Sequence, residues 1–165
     1  MPKSPDVYIG IGKLDGKGVY AARDFQPGEA VKYYNLRELS QEEFDRLPRT
    51  ERKFVHSFWG RMFLFPEPSR YTNHSSAPNT RSDLEKQCDY AIRSIKKGDM
   101  ITTNATEEVR NELITFAEAL EGGRVSSFRW TKGDYRNVVV QYALGEGSVK
   151  ELRLKRIDGN WRVIS

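Results

Sequence analysis

Apolar residues along the chain fall into short runs closed by glycine, proline or charged pairs, and one long stretch breaks that rhythm. The runs Val7–Ile11, Val19–Ala22, Ala30–Tyr34, Tyr90–Ile92 and Ile101–Asn104 are rich in β-branched and aromatic residues and predict strands. Turn chemistry separates them at Asp15–Gly18, Phe25–Glu29 and Lys97–Asp99. Ser40 and Glu43 form a capping-box pattern, predicting a short helix with Phe44 and Leu47 inward and Pro48 at its end. Thr50–Phe58 reads as a further turn or two of helix. The exception to the rhythm is Val109, Leu113, Phe116, Ala117 and Leu120, whose spacing predicts a helix over Glu107–Leu120, opened by Asn104 and Glu107 and ended by Gly122 and Gly123. Four more runs follow: Val125–Trp130, Asn137–Leu144, Val149–Ile157 and Asn160–Ile164. Their punctuation is Lys132–Asp134, Gly145–Gly147 and the hairpin signal Asp158, Gly159. Val138, Val140, Tyr142 and Leu144 share a face, as do Leu152 and Leu154, and Trp161 and Val163, so a four-stranded meander with one buried face is expected, covered by the helix.

Length and composition narrow the class. A chain of 165 residues is one domain or two small ones, and the change of pattern divides it into 1–106 and 107–165. Runs such as Val138–Val140 stop far short of the roughly 20 apolar residues that span a bilayer, and Met1–Asp6 has no apolar stretch, so no membrane segment and a cytoplasmic location are expected. Cys88 is the only cysteine, which excludes an internal disulfide and a cysteine zinc cluster, and no metal site is expected. The net charge of +4 is spread thinly, with 17 basic and 14 acidic residues in 1–106 and 10 and 9 in the rest, so no direct nucleic-acid contact is expected.

The candidate chemistry lies in Tyr71–Thr80, a turn crowded with Asn, Ser and Pro around His74. Its plain reading is an ordered loop whose side chains bond to backbone. Upstream lies Gly16, Lys17, Gly18, Val19, Tyr20, Ala21, and downstream Ala91–Asp99. In that order and spacing the three segments resemble the SET-domain family of protein lysine methyltransferases over residues 5 to 106, with Asn73, His74, Ser75, Pro78 and Asn79 the most specific part. The resemblance implies a mainly β fold with some α: a β-clip of short strands with a threaded C-terminal crossing, followed here by the helix and antiparallel meander. The C-terminal part, helix and meander together, is similar to the C-terminal half of the nuclear-transport-factor-like α+β fold.

The SET resemblance further implies S-adenosylmethionine as cofactor and a protein or peptide bearing a lysine as substrate. Lys17, Gly18, Tyr20, Asn73 and His74 are the implied cofactor-binding residues. Asn73 and His74 match the pair that holds the adenine end and pins the crossing; His74 alone could shuttle protons, but a neutral structural histidine is the stronger expectation. The family carries its catalytic tyrosine where this chain has Ala105, which implies slow or lapsed turnover. Of the remaining tyrosines, Tyr34 is the expected source of the missing hydroxyl. His56, between Val55 and Ser57, reads as a packed or surface residue. Two alternatives stay open: a SET-fold binding module that has lost turnover, and a small-molecule pocket in 107–165.

Overall fold

The computed structural model describes residues 6–134, 136–157 and 160–164. In chain order the elements are β1 (Val7–Leu14), β2 (Lys17–Ala21), β3 (Ala30–Tyr33), β4 (Arg37–Leu39), α1 (Gln41–Arg46), α2 (Arg49–Arg52), β5 (Val55–Phe58) and β6 (Arg61–Leu64). After a 3₁₀ turn at Ser69–Tyr71 come β7 (Asn73–His74), β8 (Thr80–Asp83), β9 (Cys88–Ala91), β10 (Met100–Thr103) and α3 (Ala105–Glu121). The chain ends in β11 (Val125–Gly133), β12 (Asn137–Leu144), β13 (Lys150–Ile157) and β14 (Asn160–Val163). The fold is mainly β, with the helix and antiparallel sheet following the SET-like part as expected. The hairpin signal Asp158, Gly159 lies outside the described residues. No described helix is long and apolar enough to cross a membrane.

Contacts group the chain into two compact units, Met1–Arg37 with Phe65–Ala105, and Glu38–Leu64 with Thr106–Ser165. The sequence pattern divides the chain into 1–106 and 107–165, whereas the contacts group Glu38–Leu64 with Thr106–Ser165.

The first unit holds a sheet of order β1-β2-β10-β7 and a three-stranded sheet β3-β9-β8. Asp15 and Gly16 both have positive φ, 52° and 74°, as a tight two-residue hairpin turn requires, and so join β1 to β2. Val19, Phe25, Ile95 and Ile101 are fully or almost fully buried in this unit's core. Two matching turns brace it. The Gln26 N–H donates to Glu29 Oε2 (2.6 Å) and the Lys96 N–H to Asp99 Oδ2 (2.9 Å), while Phe25 and Ile95 bridge between them.

The second unit holds β4-β6-β5 and the meander β11-β12-β13-β14. Ser40 caps α1 with both halves of the capping box in place. The expected helix over Thr50–Phe58 is corrected: α2 stops at Arg52, and Val55–Phe58 is a strand turned back on β6 through Trp59 and Gly60, both at positive φ. Val109, Leu113 and Ala117 of α3 pack on Val138, Val140, Tyr142, Leu154 and Trp161, so the helix covers the buried face of the meander.

Candidate functional site

Strand β10 lies between two partners of opposite sense. Met100 and Ile101 pair antiparallel with Tyr20 and Val19 of β2, while Thr102 and Thr103 pair parallel with Asn73 and His74 of β7. Side chains fix this crossing. Asn79 Nδ2 donates to the Met100 carbonyl (2.8 Å), its Oδ1 accepts from the Thr102 N–H (2.9 Å), and the Thr80 hydroxyl donates to the Thr102 carbonyl (2.7 Å). Asn79 thus acts as a backbone surrogate for β10.

The structure brings Lys17, Gly18, Tyr20, Asn73 and His74 to the two strands flanking β10. Asn73 is buried, and its amide is committed: Nδ2 donates to the carbonyls of Tyr71 (2.8 Å) and Lys17 (3.0 Å), and Oδ1 accepts from the Lys13 N–H (2.8 Å). A Cβ on Gly18 would stand 3.4 Å from Asn73 Nδ2 and 3.3 Å from the Ile11 carbonyl oxygen, so glycine lets the hairpin close on the loop. His74 is exposed, and its Nδ1 accepts the Ala105 N–H (2.9 Å), which puts the neutral ring's proton on Nε2. Lys17 Nζ stands 4.8 Å from the Tyr71 ring centroid, and Tyr20 donates its hydroxyl to the Ile11 carbonyl (2.5 Å) while stacking on Tyr8. Ala105, where a hydroxyl was expected to be missing, is the first residue of α3.

Tyr34 sits elsewhere in the first unit. It is 2% exposed, and its hydroxyl donates to Asp89 Oδ1. Lys32 Nζ lies 2.5 Å from Asp89 Oδ2, and the Ser82 hydroxyl donates to Oδ1 (3.0 Å). Lys32 and Asp89 face each other across β3 and β9. Sequence reasoning missed this pair, although each charge interrupts an otherwise apolar run.

A second buried carboxylate, Glu112, lies on α3 in the other unit. Its Oε1 accepts the Ser57 N–H (3.0 Å), His56 Nδ1 stands 3.4 Å from Oε2, and Arg156 lies 3.6 Å from Oε1. Burial pushes this carboxyl up; the His56 hydrogen bond and charge, then the Arg156 charge and the Ser57 N–H, outweigh it and hold the pKa below the usual value. His56 is therefore partnered and half-buried. That unit also carries an open cleft of about 740 Å³ lined by Thr106, Arg110 and Trp130–Asp134. Most of its lining residues are exposed, unlike the enclosed sites that bury small ligands.

A family model described as "SET domain" matches residues 16–104. No curated protein matches the chain. Among solved structures, a Plasmodium falciparum protein described as a candidate histone methyltransferase is 22% identical over 61% of this chain and 92% of its own, with a TM-score of 0.46. An active polycomb repressive complex 2 in its basal state is 26% identical over 59% of this chain, with a TM-score of 0.47. The match spans only 15% of that chain's length.

Proposed function

The chain belongs to the SET-domain family, and on that footing we propose that it is an S-adenosylmethionine-dependent protein-lysine methyltransferase with slow turnover. The observation that carries the reading is the juxtaposition, inside the matched residues, of the Gly16–Tyr20 hairpin and the Asn73–His74 strand on either side of β10.

The residues fit such a cofactor. Gly16 leaves open space where a side chain would stand, His74 offers an exposed ring, and Lys17 a cation, beside the half-buried phenol of Tyr20. Together these suit a ligand that is part nucleoside and part charged amino acid. Lys17, Gly18, Tyr20 and His74 would hold it, with Asn73 fixing the backbone they stand on. When bound, S-adenosylmethionine supplies an electrophilic methyl group on its sulfonium.

The protein's task is then to present a neutral lysine amine. Deprotonating a free lysine at pH 7 costs about 4 to 5 kcal/mol, at about 1.36 kcal/mol per pKa unit, and an apolar channel lowers that cost by disfavouring the ammonium. Orientation of the amine needs a fixed hydroxyl or carbonyl. Ala105 supplies no hydroxyl, and for Tyr34 to supply one, its phenol would have to leave Asp89. Both points favour slow chemistry, and they give weight to a second reading: a module that binds cofactor or a protein partner without turnover.

Calorimetric titration with S-adenosylmethionine, paired with mass spectrometry of lysine-rich proteins and peptides, tests the proposal. Saturable binding with mass gains of one methyl group supports it. Binding without methylation leaves the cofactor-binding module, and absence of binding sinks the methyltransferase and leaves only a module for a protein partner.

A further inference from the structure

The solvent side of the meander gathers positive charge that composition does not reveal. Val138, Val140 and Tyr142 point into the core, so Asn137, Val139 and Gln141 face out. Residues paired directly across strands share a face: Arg129 pairs with Gln141, Lys132 and Arg153 with Val139, Lys155 with Asn137, and Arg162 with Lys155. Five exposed cations therefore stand on one sheet face, and among the described residues none forms an ion pair. The one carboxylate that the register puts there, Glu151, accepts a hydrogen bond from Gln141 Nε2 (3.1 Å). The balancing acids of the unit, including Glu107, Glu108, Glu118 and Glu121, are on α3.

This arrangement is costly to the fold itself. Lys155 and Arg162 are like charges directly opposite each other, which destabilises a sheet. Arg153 is two residues along from Lys155, about 6.6 Å away, and Lys132 is two strands from Arg153, about 10 Å. These separations are close to the Debye length of about 8 Å at physiological salt, so the fields of the cations add.

We propose that this face binds the phosphate backbone of duplex nucleic acid without reading its sequence. Three of the five cations are arginines, whose planar fork matches phosphate oxygens, and a duplex carries one charge per roughly 1.7 Å of axis. Phe128, Trp130, Tyr142 and Trp161 pack on the opposite face, so the described residues offer no aromatic platform to unstacked bases. Among the described residues, the exposed apolar side chains at this face or its strand ends are the scattered Val149, Ile157 and Ile164, against five cations, so charge sets the partner in place of the apolar insertion a membrane surface needs.

The test is fluorescence anisotropy of the full chain with a two-turn DNA duplex of mixed sequence, at about 50 to 200 mM salt. Binding is expected with a Kd on the order of 10⁻⁵ M, the Kd rising as salt is raised. R153E/K155E/R162E should weaken it at least about tenfold at the low-salt end and flatten the log–log salt slope by about 2 to 3. R153Q/K155Q/R162Q, which adds no charge, should shift both in the same direction should the glutamate variant fail to fold. Lys96→Glu with Lys97→Glu, in a turn of the first unit, should leave both unchanged. The proposal is overturned by absence of duplex binding at low salt, by wild-type binding in the folded triple variants, or by equal loss in the Lys96/Lys97 control. Binding to phosphatidylserine vesicles or an acidic polypeptide with none to the duplex overturns it too.

Discussion

Asn73 is expected to help hold the adenine end of the cofactor and pin the crossing, and its side-chain amide is bonded to three backbone groups of its own unit. Asn73→Ala would strand the Lys13 N–H and the Tyr71 and Lys17 carbonyls. At about 1 to 3 kcal/mol for each buried group left unpaired, and less for those that water can reach, a loss of roughly 2 to 4 kcal/mol is expected in urea unfolding. A variant as stable as the wild type would mean that the loop is held by something else. Ala105 raises the complementary question. A phenol there would sit at the start of α3, beside the N–H that His74 accepts. If the missing hydroxyl limits turnover, Ala105→Tyr should raise methyl transfer by about 10²-fold, the scale of lost catalytic positioning. Unchanged rates, with cofactor still bound, would move the balance to the binding module.

Among the elements, α3 gains most from a residue that periodicity hides. Glu112 falls among the polar positions of a helix that the pattern of Val109, Leu113 and Ala117 marks out, yet its carboxylate is fully buried and ties the helix to β5 and β13. Because its folded pKa is depressed, the stability it contributes is fully present above the unfolded value of about 4.3 and is lost as pH falls through the folded value. Thermal unfolding of the wild type should therefore weaken below about pH 4, and Glu112→Gln should remove part of that dependence. Glu112→Ala should cost about 3 kcal/mol or more, leaving Arg156 and the Ser57 N–H without their partner. A flat acid limb in the wild type would discard the ion-pair account. Partners of this kind are what sequence patterns withhold. The capping box at Ser40, the helix and the meander were legible because each signal is local. The β5–β6 hairpin was not, since its turn puts Trp59, a residue with no preference for positive φ, where a turn glycine would be the cue. Asn79 with Thr102, Lys32 with Asp89 and Glu112 with Ser57 are likewise separated by long stretches of chain.

At the scale of the whole molecule, the chain crosses between units at positions 37, 64 and 105, so its last third is structurally tied to an insert within its first half. The hairpin β5–β6 depends on that tie. Ser57 donates its N–H to Glu112, the Val55 carbonyl accepts from Arg156, and the Ser57 hydroxyl bonds to Asn160. Val55, Phe58 and Met62 are buried. Removing Thr106–Ser165 would take all three polar partners away and uncover apolar surface, with each large side chain losing about 1.5 to 3 kcal/mol of burial in full exposure. The β10 crossing, by contrast, has its ties to β2, β7, Asn79 and Thr80 within the unit that remains. Hydrogen exchange on a chain ending at Ala105 should therefore show residues 55–64 exchanging freely, and a hydrophobic dye binding, while amides of Val19 and Ile101 stay protected. Protection of 55–64 equal to that in the full chain would show that the hairpin does not need the C-terminal elements. Loss of protection at Val19 and Ile101 would instead mean that the crossing itself requires them, and the two units would then unfold as one.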